Sequence, residues 1–221
     1  MYIHMYFTSL LRSFINPLSF SLPSCLPFPH SKHKVWFEPT GPDKASALLH
    51  DGVLDRVSYT SPNLAELRSI HSCLVDSLPP TKPHITDLTV EEKLTECGEL
   101  IPRLLDHVPH VLASLGRDGV VWGERREGGE TNLSHFTTFG RHSHTKPVSV
   151  SGAGDSFVGA MLSSLVRGFP HDKAIKAGLR AASLSIISLD SVSPTVTPRL
   201  FSDAAIETWA PWQPQEIYLS L

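Results

Sequence analysis

The 221-residue sequence has few cysteines and no long apolar run, and each shortage argues against a class of protein. Its three cysteines, Cys25, Cys73 and Cys97, are scattered and form no C-x-x-C pair, which argues against a disulfide scaffold and a cysteine zinc site. No stretch reaches the roughly 20 apolar residues of a membrane helix. The net charge is only −3 and no basic block is present, so we expect neither a nucleic-acid partner nor a membrane partner. A Walker sequence is also missing, which argues against a P-loop kinase.

Acidic residues are absent before Glu38, and residues 1–34 differ from the rest in being rich in serine and proline. Asn16 and Pro17 interrupt any apolar core of the kind a signal peptide needs, and a mitochondrial presequence would carry several arginines rather than one. We therefore expect a poorly ordered leader over 1–34, a folded domain over 35–205 and a tail over 206–221. The scattered cysteines favour the cytoplasm, with the mitochondrion as the alternative.

The segment from Ser149 to Leu162 organises the rest of the chain. It predicts a strand end, a tight glycine turn and then a helix of small and apolar residues. Gly152 and Gly154 allow the backbone to turn so that several N–H groups point at one spot, and the helix start adds the positive end of its dipole. That spot suits an anion, and Asp155 on its rim can accept a proton from an attacking hydroxyl, a combination that suits phosphoryl transfer to an alcohol. The alternative is an ordinary turn with Asp155 as the helix-capping residue.

Two further patterns lie upstream of this turn. Asn63 and Glu66 place two polar tips on one face of the first turn of a predicted helix, either for binding or as a capping box. The segment His110–Trp122 predicts a strand, a glycine turn and a second strand, which alone indicates an ordinary β-hairpin.

In this order the motifs resemble those of the ribokinase-like (PfkB) carbohydrate kinases. The resemblance runs from about Val35 to Leu200 and includes a strand ending in Glu-Pro-Thr and a closing loop at Ser191–Val196. It implies an α/β fold, a three-layer sandwich with a mostly parallel sheet. It covers only the C-terminal half of such a kinase, so the N-terminal half and its β lid have no counterpart.

The resemblance also implies roles for residues at the glycine turn. Asp155 would be the catalytic base, and the backbone amides of Gly152, Ala153 and Gly154 would form the anion hole for the transferring phosphate. At Ser149 the family often has an aspartate associated with a monovalent-cation site. Serine cannot supply that charge, so a potassium requirement is doubtful here.

The remaining site residues would hold the nucleotide. By resemblance, Asn63 and Glu66 organise Mg²⁺ and the nucleotide phosphates, with Glu66 acting through water as magnesium prefers. Ser114 and Gly116 would lie along the ATP phosphates. In the family, the helix predicted here over His171–Leu189 walls the adenine, and Ala182 and Ser185 would pack there. Packing in the protein core would explain such small residues equally well. We expect Asn63, Glu66, Ser114, Gly116 and Asp155 to converge around one pocket.

The implied activity is ATP- and Mg²⁺-dependent transfer of the γ-phosphate to a hydroxyl of a small-molecule sugar or nucleoside. The segment Ser61–Leu67, the Glu-Pro-Thr strand and the closing loop look most like the pseudouridine-kinase branch. Because the acceptor half is missing, the alternative is a non-catalytic ATP-binding or interaction fragment, which could associate as a homo-oligomer through an exposed sheet edge.

Overall fold

The computed structural model describes residues 2–7, 33–45, 49, 54–75, 83–126, 128–138, 147–198, 202 and 215–216. Within these ranges helices and strands alternate, as the sequence predicts for an α/β protein. The chain divides into two compact units. The first comprises Met1–Gly116, Val120–His135 and Glu216–Leu221, and the second comprises Arg117–Gly119 and Phe136–Gln215.

The described residues form one sheet of seven strands. The strands are β1 (Tyr2–Phe7), β2 (His33–Glu38), β3 (Tyr59–Thr60), β4 (His110–Ser114), β5 (Val120–Arg125), β6 (Thr131–Phe136) and β7 (Gln215–Glu216). They lie side by side in chain order, with β1 to β4 parallel and β5 antiparallel to β4. The parallel strands therefore end at the same edge of the sheet, where ligand sites in such sheets are found.

The start of the leader differs from the expectation of a poorly ordered segment. β1 pairs with β2 over its whole length, from Tyr2 opposite His33 to Phe7 opposite Glu38. Its sequence is dominated by aromatic and aliphatic residues and lacks proline, as is typical of a strand. We missed it because the serine- and proline-rich composition of the following segment was applied to the whole leader. That following segment, 8–32, lies outside the described residues.

Helices α1 (Pro42–Ala45), α2 (Leu64–Leu74) and α3 (Val90–Leu105) belong to the first unit. Thr89 followed three residues later by Glu92 predicts a capping box at the start of α3, and the structure confirms it. Thr89 Oγ1 accepts the Glu92 N–H at 3.2 Å, and Thr89 N–H donates to the Glu92 carboxylate at 2.7 Å. Apolar residues of α2 and α3 pack against inward-facing residues of β2, β4 and β5. Members of this core include Phe37, Leu64, Leu67, Ile70, Leu100, Ile101, Leu104, Val111, Ala113 and Val121.

A bidentate ion pair joins α2 to α3. Arg68 Nε donates to Glu96 Oε1 at 2.8 Å, and Arg68 Nη2 donates to Glu96 Oε2 at 2.7 Å. Arg68 Nη1 also donates to the Pro83 carbonyl at 3.1 Å. The two side chains are 17% and 8% exposed, so this pair is held in a largely dry setting where charge-assisted hydrogen bonds are strong.

Aromatic rings stack across β2 to β5. Trp36 stacks on Tyr59 with ring centroids 5.2 Å apart, Tyr59 on His110 at 4.5 Å, and His110 on Trp122 at 5.3 Å. Because successive side chains of a strand point to opposite faces, Trp36 lies in this stack whereas Phe37 packs in the helix-covered core. Cross-strand aromatic pairs of this kind stabilise a sheet and fix its register.

The second unit contains α4 (Ala153–Val166) and α5 (His171–Ile186), which pack closely on each other. A side chain at Gly178 of α5 would collide with the Phe157 ring of α4, at 2.8 Å, so the glycine permits the close approach. Ala160, Ala177 and Ala181 form the adjoining small-residue contact. Gly168 predicts that the helix ends near this position, and the prediction is confirmed, since α4 ends at Val166. We expected α5 to extend to Leu189, but it ends at Ile186.

No helix among the described residues is both long enough and apolar enough to cross a membrane.

Candidate functional site

The glycine turn lies where the sequence predicts it, at the start of α4. Gly152 is the N-cap residue with φ +76°, a left-handed conformation that glycine adopts without strain. The first helical hydrogen bond runs from Ser156 N–H to the Gly152 carbonyl at 2.9 Å. Gly152 also lies against Ser191, since a Cβ at this position would lie 2.2 Å from the Ser191 carbonyl oxygen. The turn thus requires glycine for both its conformation and its close packing.

The start of α4 has no side-chain cap, unlike the starts of α2 and α3, and the start of α5 at Pro170 has none either. Asn63 of α2 and Thr89 of α3 cap their helices with side-chain oxygens, whereas the N-cap Gly152 offers no side chain to α4. The first N–H groups of a helix have no acceptor within the helix, and together with the helix dipole they favour an anion. A Cβ built at Gly154 meets no atom of the described residues within 4 Å, so in this part of the structure there is open space at the side-chain position of Gly154.

Asp155 is the third residue of α4 and is exposed. Gly152 occupies the N-cap position, so the alternative interpretation of Asp155 as the capping residue is wrong. Among the described residues the Asp155 carboxylate has no hydrogen-bond or ion-pair partner. At the same turn the Ala153 N–H makes only a long hydrogen bond, 3.5 Å, to the Val150 carbonyl. An exposed carboxylate beside these amides could accept a proton from an incoming hydroxyl.

Ser149, at the position where a cation-associated aspartate is common, belongs to the turn itself. Its hydroxyl accepts the Ser151 N–H at 3.2 Å, and its own N–H donates to the Ile186 carbonyl at 3.2 Å. The side chain therefore stabilises the local backbone, and it brings no negative charge. The doubt about a potassium requirement stays a prediction.

In the first unit, Asn63 and Glu66 form a reciprocal capping box at the start of α2. Asn63 Oδ1 accepts the Glu66 N–H at 3.0 Å, and Asn63 N–H donates to Glu66 Oε2 at 2.8 Å. The capping alternative is therefore realised, and the ligand role of these residues stays a prediction. The capping role and a ligand role are compatible, because Asn63, which follows β3, is exposed to solvent.

Glu66 is buried, with 5% of its surface exposed. Burial raises the pKa of this carboxyl above its ordinary value, although hydrogen bonds from the backbone of Asn63 and Gly41 and from the Asn63 side chain act in the opposite direction. One carboxylate oxygen is engaged by Asn63, which fits magnesium held through water better than direct coordination. No group of three or more His, Cys, Asp and Glu residues in the described part of the chain is arranged to hold a metal by itself.

Ser114 lies beside Asn63 at the end of β4. The two residues form an isolated parallel bridge, and Ser114 N–H donates to the Pro62 carbonyl at 2.9 Å. Gly116 follows with φ +63° and open space where a side chain would be. The structure thus brings Asn63, Glu66 and Ser114 together at the carboxyl ends of neighbouring strands.

Ala182 and Ser185 lie on α5 in the second unit. Ala182 is partly exposed, whereas Ser185 has no exposed surface and is hydrogen bonded within the protein. Their predicted place in an adenine wall stays a prediction, as does the convergence of Asp155 with Asn63, Glu66, Ser114 and Gly116 around one pocket.

Sequence reasoning missed two features near these residues. Gly119 has φ +97°, and a Cβ there would lie 2.0 Å from the Phe136 carbonyl oxygen, so this position requires glycine. The sequence Gly116-Arg-Asp-Gly119 has a second glycine three residues after the first, which could have indicated this requirement. At the end of β2, Trp36 Nε1 donates to Ser61 Oγ at 2.8 Å, and Ser61 Oγ donates to Glu38. No spacing in the sequence indicated this second contact, because it joins residues 23 positions apart.

Comparison with known proteins gives the family. The model of the pfkB family carbohydrate kinases matches residues 29–197. The chain belongs to the pfkB family of carbohydrate kinases. The resemblance deduced from the motifs is thereby confirmed, and the match begins a few residues before the predicted domain start.

The chain is also similar to a curated protein and to solved structures. The chain is 26% identical over 199 residues to a pseudouridine-metabolizing bifunctional protein of Schizosaccharomyces pombe, covering 75% of this chain and 27% of that one. It is similar to ribokinase from Cryptococcus neoformans var. grubii in complex with ADP (21% identity, TM-score 0.58, 76% of this chain and 53% of that one). It is also similar to ribokinase from Thermotoga maritima (21% identity, TM-score 0.51, 81% of this chain and 50% of that one).

These structures confirm the predicted ribokinase-like α/β fold. The chain spans about half the length of the ribokinases and about a quarter of the bifunctional relative.

Proposed function

We propose that this chain provides the nucleotide site and the catalytic base of an ATP-dependent kinase that phosphorylates a hydroxyl of a sugar or nucleoside. The observation that carries the proposal is the start of α4. It combines an uncapped first turn, open space over Gly154 and an exposed, unpaired carboxylate at Asp155. Membership of the pfkB family supports a phosphotransferase that acts on an alcohol group.

At this turn the amides of Gly152, Ala153 and Gly154 would bind the transferring phosphate. They are backbone dipoles in fixed positions, so they can stabilise developing charge without reorganising. Asp155 would take the proton of the acceptor hydroxyl as the hydroxyl attacks. A positioned base of this kind contributes about 10²–10⁴-fold to a rate.

Asn63, Glu66, Ser114 and Gly116 would hold the rest of the nucleotide. When bound, Mg²⁺ neutralises negative charge on the phosphate oxygens. Glu66, with one oxygen already bonded to Asn63, would orient the water shell of that ion. Ser114 and Gly116 would lie along the phosphates, and Ala182 and Ser185 would belong to the helix beside the base.

Pseudouridine is the acceptor that we favour. The support is the name of the S. pombe relative, together with the likeness of the segment Ser61–Leu67 to the pseudouridine-kinase branch. The second candidate is a non-catalytic fragment that binds ATP or associates with another chain.

Binding and turnover assays on the purified chain distinguish these functions. We expect Mg·ADP to bind in calorimetry, and the Gly154→Val variant to lose that binding because its side chain fills the open space over the turn. With Mg·ATP and pseudouridine, ribose or adenosine, a phosphorylated product detected by mass spectrometry would support the kinase, in which positioning of the acceptor supplies ~7–11 kcal/mol of a barrier. Binding of Mg·ADP without any product would support the non-catalytic ATP-binding fragment. Failure of the wild type to bind Mg·ADP would favour the interaction fragment. Turnover of ~1–10³ s⁻¹ would show that this chain forms an acceptor site unaided.

A further inference from the structure

A buried serine on α5 connects the start of α4 to the loop that follows α5. Ser185 has no exposed surface, and its hydroxyl is hydrogen bonded to the Ser156 hydroxyl at 2.7 Å. The same oxygen accepts the Ser193 N–H at 3.2 Å. Ser156 comes directly after Asp155 and donates the first helical hydrogen bond to Gly152. The Ser185 hydroxyl thus links the glycine turn with the loop that contains Ser193, which lies 8 residues after Ser185.

The loop partner Ser193 organises its own surroundings. Its hydroxyl is hydrogen bonded to Thr195 Oγ1 at 2.8 Å and accepts the Thr195 N–H at 3.3 Å. Its carbonyl accepts the Val196 N–H at 3.0 Å. Ser193 is 6% exposed, so these bonds are largely shielded from water. Loss of the Ser185 hydroxyl would therefore alter the hydrogen bonding of the Ser193–Val196 segment.

Two other sets of contacts join the same turn to the end of α5 and the loop after it. The N–H groups of Val148 and Ser149 both donate to the Ile186 carbonyl, at 2.8 and 3.2 Å. Gly152 lies against Ser191 so closely that no side chain fits between them. The end of α5 and the loop after it therefore contact the turn before, at and after its glycine.

The hydrogen bonding of Ser185 is unusual for a serine inside a helix. Such a serine often bonds a carbonyl one turn earlier in its own helix, as Ser164 of α4 does with Ala160 at 2.9 Å. Ser164 is equally buried, with no exposed surface. Ser185 instead uses its hydroxyl between elements, where it replaces water for one N–H and one O–H that would otherwise be buried without a partner.

We propose that Ser185 is a positioning residue for the phosphate-binding turn, through which the loop Ile187–Val196 sets the affinity for a nucleotide. Binding groups must be held to within about 0.5 Å of the productive geometry to be effective. The Ser156–Ser185–Ser193 link supplies this constraint without touching the ligand. The proposal rests on the proposed function, because it takes the turn to bind phosphate.

The test compares Ser185→Ala with Ser164→Ala, which removes an equally buried hydroxyl that bonds only within its own helix. Calorimetry with Mg·ADP should show a Kd roughly tenfold higher for Ser185→Ala, the effect of one or two lost hydrogen bonds, and an unchanged Kd for Ser164→Ala. In a double-mutant cycle, Ser156→Ala should add little to Ser185→Ala, because both remove the same link.

Hydrogen exchange without nucleotide provides a second measurement. The Ser193 and Ser156 amides should exchange roughly tenfold faster in Ser185→Ala, and not in Ser164→Ala. Equal behaviour of the two variants in exchange, or equal Kd values where the wild type binds, would overturn the proposal. If the wild type binds no Mg·ADP, the proposed nucleotide site is wrong, and the exchange comparison alone decides whether Ser185 holds the turn.

Discussion

The two glycines of the turn should respond to substitution in opposite ways. Gly152→Ala places a Cβ on a residue with φ +76° and 2.2 Å from the Ser191 carbonyl oxygen. The left-handed conformation costs about 1–2 kcal/mol for alanine, and relieving the overlap with Ser191 costs about 1–3 kcal/mol more. We therefore expect a loss of about 2–5 kcal/mol in the stability of the α4–α5 unit.

Gly154→Ala is the matched control. Its Cβ meets no atom within 4 Å, and alanine in place of glycine within a helix stabilises by roughly 0.5–1 kcal/mol. This variant should be as stable as the wild type or more so, yet bind Mg·ADP more weakly, because the added methyl occupies the space over the amides. Gly152→Ala should therefore lose stability even when no ligand is present. Gly154→Ala should lose affinity for Mg·ADP and keep its stability.

Amide exchange of α4 and α5, measured by mass spectrometry, gives the stability of this unit separately from the rest of the chain. Calorimetry with Mg·ADP gives the affinity. The reasoning would be refuted by a Gly154→Ala variant that is destabilised as much as Gly152→Ala, because the turn would then be closed over rather than open. It would also be refuted by a Gly154→Ala variant with wild-type affinity, because phosphate would then bind elsewhere.

Three further predictions concern single side chains. In a longer form of this chain that turns over substrate, Asp155→Asn should lower kcat by about 10²–10⁴-fold with little change in ATP affinity, and steady-state kinetics with ATP varied would show it. Because burial raises the pKa of Glu66 above 4.5, Mg²⁺-dependent nucleotide binding should fade on acidification at a pH above that value, and titration of Glu66→Gln should lack this step. Arg68→Ala should lower the free energy of unfolding of the first unit by about 1.5–3 kcal/mol, whereas the exposed pair of Arg126 with Glu124, 3.7 Å apart, should contribute less than about 1 kcal/mol in urea unfolding.

Local sequence signals predicted much of the fold. The capping box at Thr89 and the glycine stop at Gly168 act over a few residues, so their outcome depends little on the rest of the chain. The Gly152 turn was predictable for the same reason, since its conformation and its helix follow from adjacent residues. These signals also placed the family motifs on the correct elements.

Long-range contacts could not be predicted in this way. The Arg68–Glu96 pair joins residues 28 positions apart, and the Ser156–Ser185 bond joins residues 29 apart. The spacing of nearby residues indicates neither contact, because arginine and serine occur at many surface positions where they make no such contact. Ser185 was assigned to the adenine wall by the family resemblance, with core packing as the alternative, and its burial depends on how α4 and α5 pack.

β1 shows the opposite limitation. Its residues are typical of a strand, but a six-residue apolar segment beside a serine- and proline-rich stretch gives no local evidence of a partner. The partner, β2, begins 26 residues further on, and parallel pairing always needs such a distant segment. Composition averaged over the leader hid this strand.

The most direct test of the central claim, that the start of α4 binds nucleotide phosphates, is a backbone amide titration by NMR. Mg·ADP is added to the ¹⁵N-labelled chain, and the Gly154→Val variant serves as the control. The account predicts the largest shift changes at the amides of Gly152, Ala153, Gly154 and Asp155, and their loss in the variant. Shift changes that leave these amides unmoved, or that persist unchanged in Gly154→Val, would contradict it.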